Sequence, residues 1–313
     1  MVVKTKQNVS IVTGTACPEL AKKIASSLGI ALFPLEVVHF PDGECRAKLS
    51  RDVAGRLAIC IESLGKKPND YLIETMLMAD ALRRGGASRV VLVCPYLAYS
   101  RQNLPEHDGA SLAARLFAYF LHEAGISELI TMDLHAEHIP SFYDFPVEHL
   151  SARTSLVDAM KKAFPKVRPV ICGPDLGSAK LVASYAEEFR TSFAVIQKRR
   201  LDPNRVESLS LVGEVQGKDV LLADDMCSTA GTLVSAAKVC RERGAKRIFA
   251  CVTHGIFVEG AIDAIERSPI EKLFVTDTIA PDDKTKSSSK ICPVSVAPLF
   301  ASALKRVITR FSV

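Results

Sequence analysis

The stretch VLLADDMCSTAGTLV, residues 220–234, decides how this chain folds. Its first four residues are apolar without alternation, which is the pattern of a strand buried on both faces, as a parallel sheet requires. Asp224 and Asp225 follow at the strand's end. Ser228, Thr229, Ala230, Gly231 and Thr232 then form a small-residue turn, and from Leu233 the pattern LVSAAKVCRERG is helical. Such a loop presents backbone N–H groups at the positive end of a helix, where a phosphate monoester binds, and Gly231 lets the backbone approach closely. The two carboxylates repel phosphate and are better placed to accept hydrogen bonds from ribose hydroxyls. A 5-phosphorylated ribose satisfies both halves. The plainer alternative is a buried strand running into an N-capping loop, since Ser, Thr and Asp are the usual caps.

Outward from that loop, strands and helices alternate. Residues 8–13 (NVSIVT) read as a strand, 18–28 as a helix stopped by Gly29, and 35–39 as a strand leading into the loop Phe40-Pro41-Asp42-Gly43-Glu44. RLAICIES (56–63), VVLVCPYL (90–97) and ELITMDLH (128–135) are further strands, with helices over 70–84 and 110–124. A second run of the same kind starts near residue 152, with strands over 168–175, 193–200, 219–225, 247–255 and 272–279. The pattern is α/β: two doubly wound parallel sheets, with binding loops at the carboxyl ends of the strands. The similar order of elements suggests an internal duplication. The boundary is expected near residue 150, giving domains 1–150 and 151–313, with the apolar-periodic helix at about 300–313 packing back on the first. PDDKTKSSSK (281–290) is the most polar stretch and reads as a mobile surface loop.

At 313 residues the chain exceeds one domain of about 100–200 residues. It is 48% hydrophobic, enough for two cores. No apolar run approaches the roughly 18 residues of a membrane span, and MVVKTKQNVS lacks the apolar stretch of a signal peptide, so a soluble, cytoplasmic protein is expected. The net charge of +5 is dispersed rather than clustered, which argues against nucleic acid and suits small anionic substrates. Nine cysteines without a CxxC pair read as buried small hydrophobes in a reducing compartment, not as a zinc site or a disulfide framework.

The 224–232 loop resembles the ribose-5-phosphate loop of type I phosphoribosyltransferases and of ribose-phosphate pyrophosphokinases. A transferase has one such domain, whereas the pyrophosphokinases have two. FPDGE at 40–44, PYLAYSRQ at 95–102, DLHA at 133–136, KRR at 198–200, the 224–232 loop, THGIF at 253–257 and SVAPLF at 295–300 all stand in the order of the pyrophosphokinase family. The chain is similar to that family along nearly its whole length. The resemblance implies phosphoribosyltransferase-like domains and transfer of a diphosphoryl group from MgATP to the 1-hydroxyl of ribose 5-phosphate, with AMP released.

The resemblance also implies roles. Magnesium is the cofactor, and metal-bound ATP is held by residues matching His135 and Asp175. Taken by itself, His135 could as well be a structural imidazole bonded to a loop carbonyl. Lys198 and Arg200 match a pair that closes over the phosphates and meets charge developing on the transferred group; composition alone makes the KRR run a solvated face. Arg101 and Gln102 match residues lining the ATP site, and Phe40, Asp42 and Glu44 match the loop that takes adenine. In related enzymes that loop comes from the neighbouring subunit, so a dimer-based homo-oligomer, up to a hexamer, is implied, with the ATP site at a subunit interface. Read alone, Pro-Asp-Gly is simple turn chemistry, which leaves the phenylalanine before it unexplained.

Some positions depart from the family pattern. GPDLGSAK carries Ser178 where a second glycine is common. After Arg101-Gln102 the chain reads NLPEHDGA (103–110), without the basic residues usual there. Ser228 stands where many members have aspartate, and Asp277 where asparagine is frequent, so the resemblance does not extend to control by phosphate or ADP. The altered 103–110 segment motivates a second reading, a non-catalytic homologue that regulates an active synthetase. A phosphoribosyltransferase is the third, and leaves FPDGE and KRR unexplained.

Overall fold

The computed structural model describes residues 8–105, 107–199 and 208–311. The chain divides into two compact units: Met1–Ser151 with Thr278–Ala280 and Ser295–Val313, and Ala152–Asp277 with Pro281–Val294.

The first unit is built on five parallel strands: β1 (Val9–Thr13), β4 (Leu57–Ile61), β5 (Arg89–Cys94), β6 (Glu128–Met132) and β7 (Val147–Leu150), adjacent in that order. On the other side of β1 the chain makes a single bridge, Ile11 to Leu32. The winding direction therefore reverses at β1, and the crevice between the ends of β1 and β4 is this sheet's switch point. β4 is buried along its whole length, which is why it reads as an unbroken apolar run. α1 (Pro18–Leu28) has proline in its first turn and ends at Gly29, whose φ of 64° is the left-handed cap. α2 (Pro68–Arg84) and α3 (Ala113–Glu123) follow β4 and β5.

Between α1 and β4 the chain makes a separate antiparallel hairpin, β2 (Leu35–His39) and β3 (Cys45–Leu49). The hairpin packs against α2 through β3.

The second unit carries a seven-stranded sheet in the order β10-β9-β8-β11-β12-β13-β14, parallel except for β10 against β9. The strands are β8 (Val170–Gly173), β9 (Phe193–Arg199), β10 (Ser208–Val212), β11 (Asp219–Cys227), β12 (Arg247–Gly255), β13 (Lys272–Thr276) and β14 (Ile291–Val294). The chain leaves β8 to one side for β9 and β10, then returns to its other side for β11, so the switch point lies between β8 and β11. α4 (Arg153–Ala163) and α5 (Ala179–Phe189) cover one face; α6 (Gly231–Glu242) and α7 (Ala261–Glu266) cover the other. Val220 and Leu222 join the core beneath α6 and α7, while the alternate residues Leu221 and Ala223 are buried on the opposite side.

β11 runs two residues beyond the expected end at 225. β12 keeps pairing with it as far as Cys227 with Gly255, whereas β8 pairs with it only as far as Leu222 with Cys172. The edge of β11 facing β8 is thus released just before Asp224.

Residues 281–290 are not a mobile loop. Asp282 caps α8 (Asp283–Ser287) by accepting from Thr285 N at 2.8 Å and Thr285 Oγ1 at 2.7 Å. Ser288 Oγ donates to Glu266, and Lys290 Nζ donates to the carbonyls of Ile265, Glu266 and Ser268 at 3.0, 2.7 and 2.9 Å. Local hydrogen bonding, invisible to a reading of polarity, fixes the segment.

α9 (Ala297–Phe311) belongs to the first unit and packs on α1. The nine thiols are free, seven of them buried. Among the described residues no helix is long and apolar enough to cross a membrane.

Candidate active site

In the second unit, the loops after β8 and β11 meet the two sides of the switch point. The β11 loop gathers Asp224, Asp225 and residues 228–232. Asp224 is half-buried, and its carboxyl is pushed up to about 8, first by burial, then by the neighbouring Asp225 carboxylate and more weakly by Asp175. Asp224 Oδ1 accepts from Asp225 N at 3.0 Å. Asp175, at the end of the β8 loop, is therefore within electrostatic reach of the pair. Its Oδ1 accepts from Ser178 N at 3.0 Å and its carbonyl accepts from Ser178 Oγ at 2.6 Å, so the serine that departs from the glycine pattern locks this turn.

The 228–232 turn is shaped chiefly by its backbone. Ala230 occupies the N-cap position of α6 with φ 64°, and its own side chain caps nothing. The N-capping alternative holds in part, since Thr229 Oγ1 accepts from Gly231 N at 3.3 Å; the rest of the first turn of this 12-residue helix keeps the amide face that suits an anion. A Cβ placed on Gly231 would meet only Thr229 Oγ1, at 3.5 Å. The fold leaves the approach to Gly231 clear. From behind, Ile256 N and Phe257 N donate to Cys227 O at 2.9 and 3.1 Å, and Val258 N donates to Ser228 O at 3.1 Å, so the THGIF segment buttresses the loop.

In the first unit, the corresponding crevice is already filled. Glu62, just past β4, and Glu74, on α2, are both 0% exposed. Thr15 N and Oγ1 donate to Glu74 at 2.6 and 2.7 Å, and Ala16 N donates to Glu62 Oε1 at 2.9 Å. A Cβ on Gly14 would collide with both carboxylates, so only glycine fits there. Burial and the Glu74 charge push the Glu62 carboxyl well up, and its Oε2 has no hydrogen-bond partner. The amides of this turn thus face built-in carboxylates. Sequence reading missed the pair; the one available signal was a glutamate, Glu74, on the apolar face of an amphipathic helix.

Arg101 and Gln102 stand exposed after β5. Tyr99 before them has φ 64° and stacks on Phe117 with centroids 4.1 Å apart, and Gln102 O accepts from Ala114 N at 3.1 Å. Asn103, first residue of the divergent segment, is buried and donates to Ser100 O at 2.7 Å. His135 lies exposed after β6. Its loop is held by a residue the sequence did not single out: His149 Nε2 accepts from Leu134 N at 2.8 Å, and burial lowers the pKa of His149, favouring the neutral ring that can accept.

Residues 40–44 form the turn of the β2–β3 hairpin. Phe40 N donates to Glu44 O at 2.7 Å, Gly43 N donates to Phe40 O at 3.0 Å, and Gly43 has φ 95°. The Phe40 ring is 38% exposed, with the Arg46 guanidinium 5.7 Å from its centroid. Lys198 is placed by its backbone near the end of β9, opposite Leu209; Arg200 lies outside the described residues.

Residues 9–125 match the model of the N-terminal domain of ribose phosphate pyrophosphokinase, and residues 200–313 match that of the phosphoribosyl synthetase-associated domain. The ribose-phosphate pyrophosphokinase of Aquifex aeolicus is 37% identical over 299 residues, 96% of either chain. That of Wolinella succinogenes is 38% identical over 304 residues, 97% of either chain. This chain belongs to the ribose-phosphate pyrophosphokinase family. A crystal structure of the phosphoribosylpyrophosphate synthetase of Mycobacterium smegmatis superposes with a TM-score of 0.92 at 30% identity, covering 97% of this chain and 99% of that one. The likeness runs through both units, and the family is one of enzymes that make phosphoribosyl pyrophosphate.

For a divalent cation, the carboxylates at the second unit's switch point supply hard oxygen donors, and the charge crowding around Asp224 is of the kind a cation relieves. Among the described residues no cluster of three or more His, Cys, Asp or Glu is arranged to hold a metal by itself. Such a donor set fits a magnesium ion that takes most of its ligands from phosphate and water.

Proposed function

We propose that the enzyme transfers the diphosphoryl group of MgATP to the 1-hydroxyl of ribose 5-phosphate. The ribose oxygen forms a bond to the β-phosphorus, the bond from that phosphorus to the α,β-bridging oxygen breaks, the hydroxyl proton is lost, and 5-phosphoribosyl 1-pyrophosphate and AMP result. The observation that carries this reading is the start of α6, where the N-cap residue Ala230 brings no capping side chain, beside Asp224 and Asp225. The N–H groups of 228–232, with the Thr232 hydroxyl, receive the 5-phosphate, and the two carboxylates accept the ribose hydroxyls.

Phe40 stacks on adenine, Asp42 and Glu44 accept from its amino group, and Arg101 and Gln102 line the nucleotide site. Lys198 and Arg200 oppose the charge that develops during transfer. His135 and Asp175 would each help to hold magnesium-bound ATP, and the ion would neutralise phosphate charge. The protein works as a dimer-based homo-oligomer, with the 40–44 turn lent to a neighbour's nucleotide site.

The test is product analysis: the purified chain is incubated with MgATP and ribose 5-phosphate and the nucleotides are separated. AMP appearing one-for-one with phosphoribosyl pyrophosphate is expected; ATP bound but unconsumed would instead indicate a regulatory homologue. Asp224→Ala combined with Asp225→Ala should sharply weaken the use of ribose 5-phosphate and spare ATP binding, and Thr232→Val should raise the KM for ribose 5-phosphate alone.

A further inference from the structure

The buried Glu74 carboxylate is met by two donors and a histidine ring nitrogen, from two separate parts of the first unit. One oxygen accepts from Thr15 N at 2.6 Å; the other accepts from Thr15 Oγ1 at 2.7 Å and has His39 Nε2 at 3.5 Å, an ion-pair distance. Thr15 belongs to the turn after β1, and His39 is the last residue of β2, one position before Phe40. Glu74 is 0% exposed, whereas the His39 side chain is 47% exposed.

A buried carboxylate is costly unless it is fully bonded, and an apolar residue would pack as well among Leu72, Thr75 and Met78 of the same buried face. What the carboxylate adds is geometry. The hairpin pairs only with itself, and an isolated two-stranded ribbon is of marginal stability. Its far end is seated by packing of β3 on α2, with the Leu49 side chain against Gly85. Its near end, from which the 40–44 turn projects, is tied to α2 by the His39–Glu74 contact.

We propose that Glu74 is a positioning residue for the nucleotide half of the site, tying the root of the β2–β3 hairpin, through His39, to the turn after β1, through Thr15, and so fixing where the 40–44 turn stands. The inference rests on the reading of that turn as the adenine-binding element. Glu74 itself is a poor place to test it, because truncation there would also empty the core; exposed His39 leaves the core intact.

The experiment uses the full-length enzyme carrying His39→Ala, His39→Arg or Phe40→Ala, with steady-state kinetics in both substrates and hydrogen–deuterium exchange over residues 35–49. His39→Ala is expected to speed exchange across the hairpin but not in β4 or β5, and to raise the KM for ATP about tenfold with the KM for ribose 5-phosphate and kcat within about twofold. His39→Arg, which supplies N–H donors at the same place, should return both readouts. Unchanged hairpin exchange in His39→Ala, or no recovery with arginine, overturns the proposal. Faster exchange rescued by arginine, with the KM for ATP unmoved even in Phe40→Ala, sustains the positioning and overturns the adenine reading of the turn instead.

Discussion

Ala230 and Gly231 divide between them what the sequence assigns to glycine alone. The left-handed backbone falls on Ala230, at φ 64°, while Gly231 is the position with open space in front of it. An alanine at 231 fits the fold and suits the first turn of a helix, so Gly231→Ala should leave the melting temperature unchanged within about 1 °C, because surface changes away from strain or packing are nearly neutral. The added methyl would stand where the phosphate is to come close, and the KM for ribose 5-phosphate should rise about tenfold, roughly 1.4 kcal/mol of lost binding. Equal losses of stability and affinity would show instead that the position is structural. Asp224 supplies a second test at this scale. Burial and the Asp225 carboxylate push its carboxyl up from the ordinary carboxylate value of about 3.9, so above that value the folded state holds more protons and stability falls as pH rises. Asp224→Asn removes that penalty. Thermal melts without ligand should show the variant more stable than the parent at pH 8, by a margin that shrinks towards pH 5, while its use of ribose 5-phosphate is lost. The acidic pair and the small-residue loop were legible because their chemistry is local in sequence. His149 and Glu74 were not, since their roles depend on partners 15 and 59 residues away.

At the scale of elements, strands buried on both faces announce themselves as unbroken apolar runs, and β4, β5, β6, β11 and β12 were legible for that reason. β7 and β14 were not: each is a four-residue strand at a sheet edge, and Pro293 within β14 is tolerated only because one side of an edge strand is unpaired. β3, CRAKL, mixes charge with small residues because its neighbours are one strand and a helix rather than a sheet core. The polar 281–290 segment is the instructive case, since hydrophobicity is silent where order comes from hydrogen bonds. Lys290 caps the C-terminal carbonyls of α7 with three donors, a geometry that also complements the helix dipole. Lys290→Ala should cost about 1.5–3 kcal/mol in urea unfolding, the range for hydrogen bonds from a charged group. Lys290→Met, which keeps the apolar stem, should recover little; substantial recovery by methionine would assign the effect to packing.

For the whole molecule, the repeated order of elements sets two switch points with contrasting contents. In the second unit the crevice between β8 and β11 offers a helix start whose N-cap residue, Ala230, brings no capping side chain, and a crowded pair of carboxylates. In the first, the crevice between β1 and β4 is closed by Glu62 and Glu74, whose oxygens already take the turn amides. One half opens its helix start and carboxylates to a ligand, while the other fills its turn with its own carboxylates, which is why a single sugar-phosphate loop is expected from the repeated fold. The chain's ends also matter. α9 returns to the first unit and buries Phe300, Leu304 and Val307 completely, while Arg310 pairs with the buried Glu128 at 2.7 Å. Burying each of those side chains is worth about 1.5–3 kcal/mol, so together they rival the 5–15 kcal/mol by which a typical domain is stable. Ending the chain at residue 295 should therefore unfold the first unit: β4 and β5 amides should lose protection from hydrogen exchange and the apolar face of α1 should bind a hydrophobic dye. The second unit, to which α9 does not belong, should keep its protected amides in β11 and β12. A truncated chain that retained protection in β4 would refute the view that this helix completes the first core.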